Sequence, residues 1–249
     1  MSKIGCNTIT WGDITSREQF FHVMQEVKDC GYDAVETGVE YLTENDKQQY
    51  DGIGLKFLAS HICPDLKNSD TELEIEKVKR MVPLIKALGG EFLFVSALNY
   101  QNKAVDDYKR EAEIFNRFGE IAKGAGIVFC YHNHHFEFKK QRLGLNILVK
   151  EMEPELVGLL PDIGWVTRGD MEPVDFLKEF GDRVKAIHCK EFTFDDHFTE
   201  LGKGIVDLRG VYEYVKERNL WMIAEQDTCN GTAMDSAKQN AAYLLELTR

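Results

Sequence analysis

The sequence predicts a (β/α)₈ TIM barrel built as a single domain over residues 1–249. Three observations predict it. Eight short β-rich runs are separated by polar, helix-patterned segments, glycine stands at many of the joins, and no Pro/Ser-rich linker or low-complexity tract divides the chain. Strands that alternate with helices pair in parallel, because each crossover lays a helix on the sheet face. A chain of 249 residues has the size of a closed eight-unit barrel. An open doubly wound sheet is the competing architecture.

The eight runs are KIGCNTI (3–9), DAVET (33–37), KFLASHI (56–62), EFLFVSA (91–97), IVFCYHN (127–133), LVGLLPDI (156–163), VKAIHC (184–189) and WMIAEQ (221–226). After the first, Ser16 precedes REQFFHVMQEVKDC with Gln19 three residues on, a capping-box pattern. Phe20, Met24, Val27 and Cys30 then share one face at helical spacing, and Gly31 ends the helix. DDYKREAEIFNRFGEIAKGAG repeats this plan, with Phe115, Phe118 and Ala122 on one side and glycines at its end. Helices are predicted also over 73–88, 207–219 and 235–247, whereas 38–52 and 164–180 are less regular.

Asp and Glu number 42 against 30 Lys and Arg, a net charge of −12 with no basic run. Nucleic acid is therefore not an expected partner, since affinity for a polyanion rests on Lys and Arg neutralising phosphates. The N-terminal MSKIGCNTITW lacks a basic segment followed by a long apolar run, so it reads as the first structural element. No stretch is long and apolar enough for a membrane span. The six cysteines are scattered without a C-x-x-C pair, which predicts free thiols and a reducing cytoplasm.

Barrel enzymes carry their chemistry at the C-terminal ends of the strands. Six of the eight predicted strand ends bear a carboxylate or imidazole: Glu36, His61, the segment YHNHHFEF with Glu137, Asp162, His188 and Glu225. Such groups are costly to bury in a strand covered on both faces unless something compensates them. Singly, each would be a helix cap, a salt-bridge member or a hydrogen-bonded packing residue. A convergence of four on strands five to eight calls instead for a cation. Glu137, Asp162 and Glu225 would supply oxygens and His188 a nitrogen, a set that suits Mn²⁺ first and Mg²⁺ or Co²⁺ next, with Zn²⁺ and Fe²⁺ left open.

The sequence resembles the xylose-isomerase-like TIM barrels, which include sugar isomerases, keto-sugar epimerases and inosose dehydratase. The resemblance runs through AVETG (34–38), YHNHHFEF (131–138), LPDIGWV (160–166), AIHCKE (186–191), ELGKGIVDL (200–208) and IAEQD (223–227). It implies one divalent metal held by a Glu, Asp, His and Glu of strands five to eight, falling on Glu137, Asp162, His188 and Glu225. It also implies assembly into homo-oligomers. Two departures stand out. Trp165 occupies a position where epimerases and inosose dehydratases often have histidine, and the strand-five glutamate follows a His-Asn-His run, closer to the inosose dehydratase side of the family.

The implied activity is a metal-dependent sugar or keto-sugar isomerase or epimerase acting through an enediolate. Its alternative is a dehydrating lyase acting on an inosose or a 3-keto sugar. The metal polarises the substrate carbonyl, Glu225 is the expected base, and Glu137 is its partner across the substrate. His134, with an ordinary pKa near neutrality, is a further proton-transfer candidate, as is Lys190. Trp11 and Trp165 would cover a sugar face, while Glu36 and His61 would contact substrate oxygens. His132 and His135 are expected to pack or to orient a ligand. Gly202 and Gly204 suggest a tight loop and form no phosphate-binding fingerprint. Phosphodiester hydrolysis of the endonuclease IV type is disfavoured by Trp165 and the charge. A binding barrel without catalysis is the remaining class.

Overall fold

The computed structural model describes residues 3–100 and 103–249; positions 1–2 and 101–102, which the single-domain reading includes, lie outside the described residues. Eight strands occur where the sequence predicts them: β1 Lys3–Asn7, β2 Ala34–Glu36, β3 Lys56–Ile62, β4 Phe92–Ser96, β5 Val128–His132, β6 Gly158–Leu160, β7 Ala186–Cys189 and β8 Trp221–Ala224. All pair in parallel in the order β6-β5-β4-β3-β2-β1-β8-β7. Two parallel bridges, Leu159 with Val184 and Asp162 with His188, join β6 to β7. The sheet is thus a nearly closed barrel and not an open one.

The α-helices that follow the strands are α1 Arg17–Asp29, α2 Lys47–Ile53, α3 Thr71–Ala87, α4 Val105–Gly124, α5 Lys139–Glu151, α6 Ile163–Arg168, α7 Pro173–Phe180, α8 Leu208–Val215 and α9 Ala233–Leu247. Ser16 caps α1 by accepting from Gln19 N at 3.1 Å, but the Gln19 side chain reaches back to Thr15 N (2.9 Å), so the predicted box closes one residue early. The less regular stretches resolve into α2 and into the pair α6 and α7. Residues 140–142 at the start of α5 take left-handed φ values of 51°, 58° and 62°. No helix among the described residues is long and apolar enough to cross a membrane. The six cysteines are free thiols.

Two apolar layers support this arrangement. The larger lies between strands and helices and includes Phe20, Met24 and Val27 of α1 and Phe115, Phe118 and Ala122 of α4, the faces that helical spacing predicts. The smaller fills the barrel and includes Ala34, Ala59, Phe94, Cys130, Leu160, Ala186 and Ile223, one from each of β2 to β8. Gly5 supplies the β1 position, where an added Cβ would stand 3.3 Å from Ile223 and 3.6 Å from Leu58. Side chains alternate faces along a strand, so the residue two positions further on each strand also points inward. Those eight residues make the mouth of the barrel.

Candidate metal centre

Two residues beyond the apolar layer stand, in order around the barrel, Asn7, Glu36, His61, Ser96, His132, Asp162, His188 and Glu225. Each strand contributes one, and every one is polar. Ser96 pairs with His132 in register, and His132 with Leu160. The bridge that closes the barrel brings Asp162 beside His188.

The half of the ring on β5 to β8 gathers His132, Asp162, His188 and Glu225, whose donor atoms all lie within 4.8 Å of one another. His132 Nε2 is 3.4 Å from Asp162 Oδ2 and 3.8 Å from Glu225 Oε2, and His188 Nδ1 touches Glu225 Oε2. His132 Nε2 and Asp162 Oδ2 are buried without a hydrogen-bond partner. Buried polar atoms ordinarily have partners, and both belong to the four-residue cluster. Two imidazole nitrogens with two carboxylates fit a divalent transition ion.

Asp162 reaches this place because its other oxygen caps α6, accepting from Trp165 N at 3.0 Å. Asn133 fixes the junction of β5 and β6 by exchanging bonds with the Asp162 backbone, Nδ2 to O at 3.3 Å and N to Oδ1 at 3.2 Å. His188 lies between Glu225 and Glu36, its Nε2 2.6 Å from Glu36 Oε2. Burial pulls the His188 pKa down, and the two carboxylates outweigh that and lift it to about 10. Burial likewise pushes Glu36 up, yet His188 and His61 hold it at about 2. For Glu225, too, burial raises the pKa, but His188 and Lys190 bring it well below the ordinary value. Burial raises the Asp162 pKa.

Glu137 is not in this cluster. The strand-five residue that enters it is His132, two positions after Cys130 on the inward face. Tyr131 between them points outward, packing on Phe115 of α4 with ring centroids 5.7 Å apart. Glu137 follows in a 3₁₀ turn, His135–Phe138, accepts from the Tyr131 hydroxyl and from His134 N (2.9 Å), and is fully buried. Five residues past the strand end, the chain has turned away, and the carboxylate holds the turn instead of entering the barrel. The expected ligand position of Glu137 is taken instead by His132.

Glu36 also differs from expectation. It is fully buried, accepts from Asn7 Nδ2 at 2.9 Å, and faces His61 Nδ1 at 2.9 Å as well as His188. No oxygen is left over for a substrate. His61 Nε2 in turn is 2.6 Å from Ser96 Oγ, and Ser96 Oγ is 3.2 Å from His132 Nδ1. Trp11 turns to α1, where its indole N–H donates to Glu26 at 2.7 Å; its residue pairs with no member of the ring.

Lys190 is 1% exposed and donates to Glu225 Oε1 (2.9 Å) and Asp227 Oδ2 (2.6 Å), with Asp162 Oδ2 at 3.3 Å. Burial lowers its pKa, and Glu225, Asp162 and Asp227 raise it beyond the ordinary lysine value. Its ammonium lies 4.6 Å from the Trp165 ring centroid. Trp165 is buried against His135, Phe192 and Phe198. His134 stacks on Phe136 and abuts His132, with ring centroids 5.4 and 4.9 Å away. Burial holds its pKa at about 3, and its Nδ1 has no partner. Glu191 ties down the loop after β7, accepting from Phe192 N, Gly202 N and Val206 N at 3.2, 3.3 and 2.9 Å. A Cβ on Gly204 would fall 2.1 Å from Phe192 O, so this loop requires glycine there.

Among the members of this ring, sequence reasoning missed Asn7 and Ser96 and gave His132 a lesser part. Stepping by two from the small or apolar residue of each strand would have found all three.

The family model for xylose isomerase-like TIM barrels matches residues 24–247. The chain belongs to this family. Among its curated relatives, an inosose dehydratase of Lacticaseibacillus casei is 26% identical over 161 residues, 56% of this chain and 54% of that protein. The chain thus aligns with about half the length of that relative. A sugar phosphate isomerase/epimerase from Parabacteroides distasonis superimposes with a TM-score of 0.81 at 22% identity, covering 100% of both chains. IOLI protein, solved with a bound zinc atom, gives 0.76 at 16% identity, covering 99% of this chain and 98% of that one. At these identities the two structures show the shared barrel. Within the xylose isomerase-like family the relatives thus carry names of isomerases, epimerases and dehydratases.

Proposed function

We propose that this xylose isomerase-like barrel is a divalent-metal-dependent isomerase or epimerase of a small sugar or keto sugar, working through an enediolate. One observation carries the reading: four buried side chains, His132, Asp162, His188 and Glu225, bring ligand-type atoms within 4.8 Å of one another at the barrel mouth. The donor set fits one Mn²⁺, and equally Zn²⁺, Co²⁺ or Fe²⁺; the zinc in IOLI protein supports a transition ion. When bound, the ion supplies Lewis-acid polarisation of a carbonyl and its neighbouring hydroxyl.

The chain's own residues do the proton work. Glu225, kept ionised by His188 and Lys190, is placed to take the proton from the carbon beside the carbonyl. Lys190, protonated throughout the working range, steadies the oxygen on which charge develops. His134, neutral at working pH and next to His132, would hydrogen-bond a substrate oxygen as a neutral imidazole, and the proton taken by Glu225 returns from Glu225 to the neighbouring carbon. Trp165 forms an apolar wall behind the Lys190 ammonium.

A second reading is dehydration of an inosose or keto sugar by β-elimination from the same intermediate. It is favoured by the buried Lys190 ammonium, which can hydrogen-bond a departing hydroxyl, and by the dehydratase names of relatives. Incubation with a panel of keto sugars and inososes in D₂O separates the two. Solvent deuterium in an isomeric product supports the first, and loss of water supports the second. Absence of bound divalent ion in protein purified without chelator and then offered Mn²⁺ or Zn²⁺ would defeat both.

A further inference from the structure

The half of the ring on β1 to β4 forms a chain of hydrogen bonds whose direction is set at one end. Ile9 N–H can only donate, and it meets Asn7 Oδ1 at 2.9 Å. That orients the amide so that Asn7 Nδ2 donates to Glu36 Oε1 at 2.9 Å. A carboxylate accepts only, so Glu36 requires N–H at both His61 Nδ1 (2.9 Å) and His188 Nε2 (2.6 Å). Neutral His61 protonated at Nδ1 has a bare Nε2, which accepts the Ser96 hydroxyl proton at 2.6 Å. Having given its one proton, Ser96 Oγ can only accept from His132 Nδ1 at 3.2 Å. His132 is then left with a lone pair on Nε2, and His188 has only Nδ1 left to turn toward an ion. Both nitrogens belong to the four-residue cluster, His188 Nδ1 against Glu225 Oε2.

We propose that Glu36, His61 and Ser96 are positioning residues that form a directional relay, fixing the tautomer of His132 and the ligating edge of His188 so that both present a nitrogen lone pair to one ion. The ion-binding half of the statement rests on the metal-dependent reading above; the tautomer half does not. The direction is essential. Were the Ser96 hydroxyl turned toward His132, His132 would carry its proton on Nε2, facing the ion position, and could not ligate. Partners of this kind orient metal-binding histidines generally, and their loss weakens metal binding roughly 10- to 100-fold. What is particular here is one carboxylate serving both histidines, one directly and one through an imidazole and a hydroxyl.

The test uses the full chain, uniformly ¹⁵N-labelled and metal-free, with His132 assigned by comparison with His132→Gln. Long-range ¹H–¹⁵N spectra should show His132 protonated at Nδ1. In Ser96→Ala the Nε2-protonated form should gain population, and Ser96→Thr, which retains the hydroxyl, should restore the wild-type pattern. Co²⁺ affinity, measured by competition with a chromogenic chelator, should fall roughly 10- to 100-fold in Ser96→Ala and recover in Ser96→Thr. Wild-type His132 protonated at Nε2 would overturn the relay, as would a Ser96→Ala variant with unchanged tautomer and unchanged Co²⁺ affinity. If wild type bound no Co²⁺ while its His132 tautomer followed the Ser96 hydroxyl, the relay would stand and the metal reading alone would fail.

Discussion

Replacing Glu137 by Gln separates the two places this residue could occupy. As a metal ligand, Glu137 would take bound ion with it when lost. As the buried carboxyl that holds the turn after β5, it should leave metal content untouched and change how stability depends on pH. Burial lifts its pKa from 4.5 to about 8, although Tyr131 and the His134 amide pull the other way. Between those values the folded protein keeps a proton that the unfolded chain has released, so folding is favoured at the acid end and loses that advantage as pH rises toward 8. Each pH unit of that window corresponds to about 1.4 kcal/mol, giving a ceiling of about 4–5 kcal/mol and a thermal midpoint that falls by roughly 10 °C across it. Glutamine is close to isosteric. Its carbonyl can accept from His134 N while its amide donates to the Tyr131 oxygen, so the variant keeps the turn but has nothing to titrate. The assay is thermal unfolding of both proteins at half-unit steps from pH 5 to 9, with metal analysis of the same preparations. The wild-type curve should decline relative to the variant. Parallel curves, or loss of the ion in Glu137→Gln, would refute the placement of Glu137 in its turn.

Three other outcomes are expected. Addition of Mn²⁺ or Zn²⁺ at about 100 times its dissociation constant should stabilise wild type by about 2.7 kcal/mol, roughly 5–10 °C by differential scanning fluorimetry, and Asp162→Asn should show little of this. Lys190→Met removes the cation from Glu225, Asp162 and Asp227 and should cost about 3–5 kcal/mol in urea unfolding of metal-free protein, less when the divalent ion is present, because the ion neutralises the same carboxylates. Gly119→Ala puts a Cβ 2.5 Å from Leu156 O, where α4 passes the segment leading into β6; it should lower the urea midpoint by an amount equivalent to about 1–3 kcal/mol without altering the metal content.

The barrel was legible because its strands are short apolar runs at regular spacing, and neither the bulge in register between Val35 and Glu36 nor the split of 164–180 into two helices disturbs that rhythm. Asp162, His188 and Glu225 were legible for the same reason: each stands at a strand end, where the period of two carries it inward. Glu137 was misplaced because the cluster YHNHHFEF offers several ligand types within eight residues, and only the actual end of β5 at His132 decides which of them faces the barrel. Trp11 is a case of the same kind on β1. The strand ends at Asn7, and a 3₁₀ turn over Thr8–Trp11 carries the indole to Glu26. Glu36 and His61 were found as residues but not in role, since nothing in sequence shows that both oxygens of Glu36 are taken by Asn7, His61 and His188.

On the proposed reading the ring divides into two halves. Its two halves have separate work: β5 to β8 present lone pairs to a single point, and β1 to β4 orient two of the groups that do so. None of this depends on what the substrate becomes after a proton leaves carbon. On that reading the choice would fall to groups beyond the ring, His134 in the turn after β5, Trp165 in the first turn of α6, and Lys190 just past β7, each in the segment that follows a strand. Lys190 couples the two levels, because its ammonium touches Glu225 and Asp162 of the ring while Asp227 holds it from outside. On the proposed reading, substitutions around 134, 165 and 190 in this chain are expected to shift the balance between isomerised and dehydrated product in the D₂O panel.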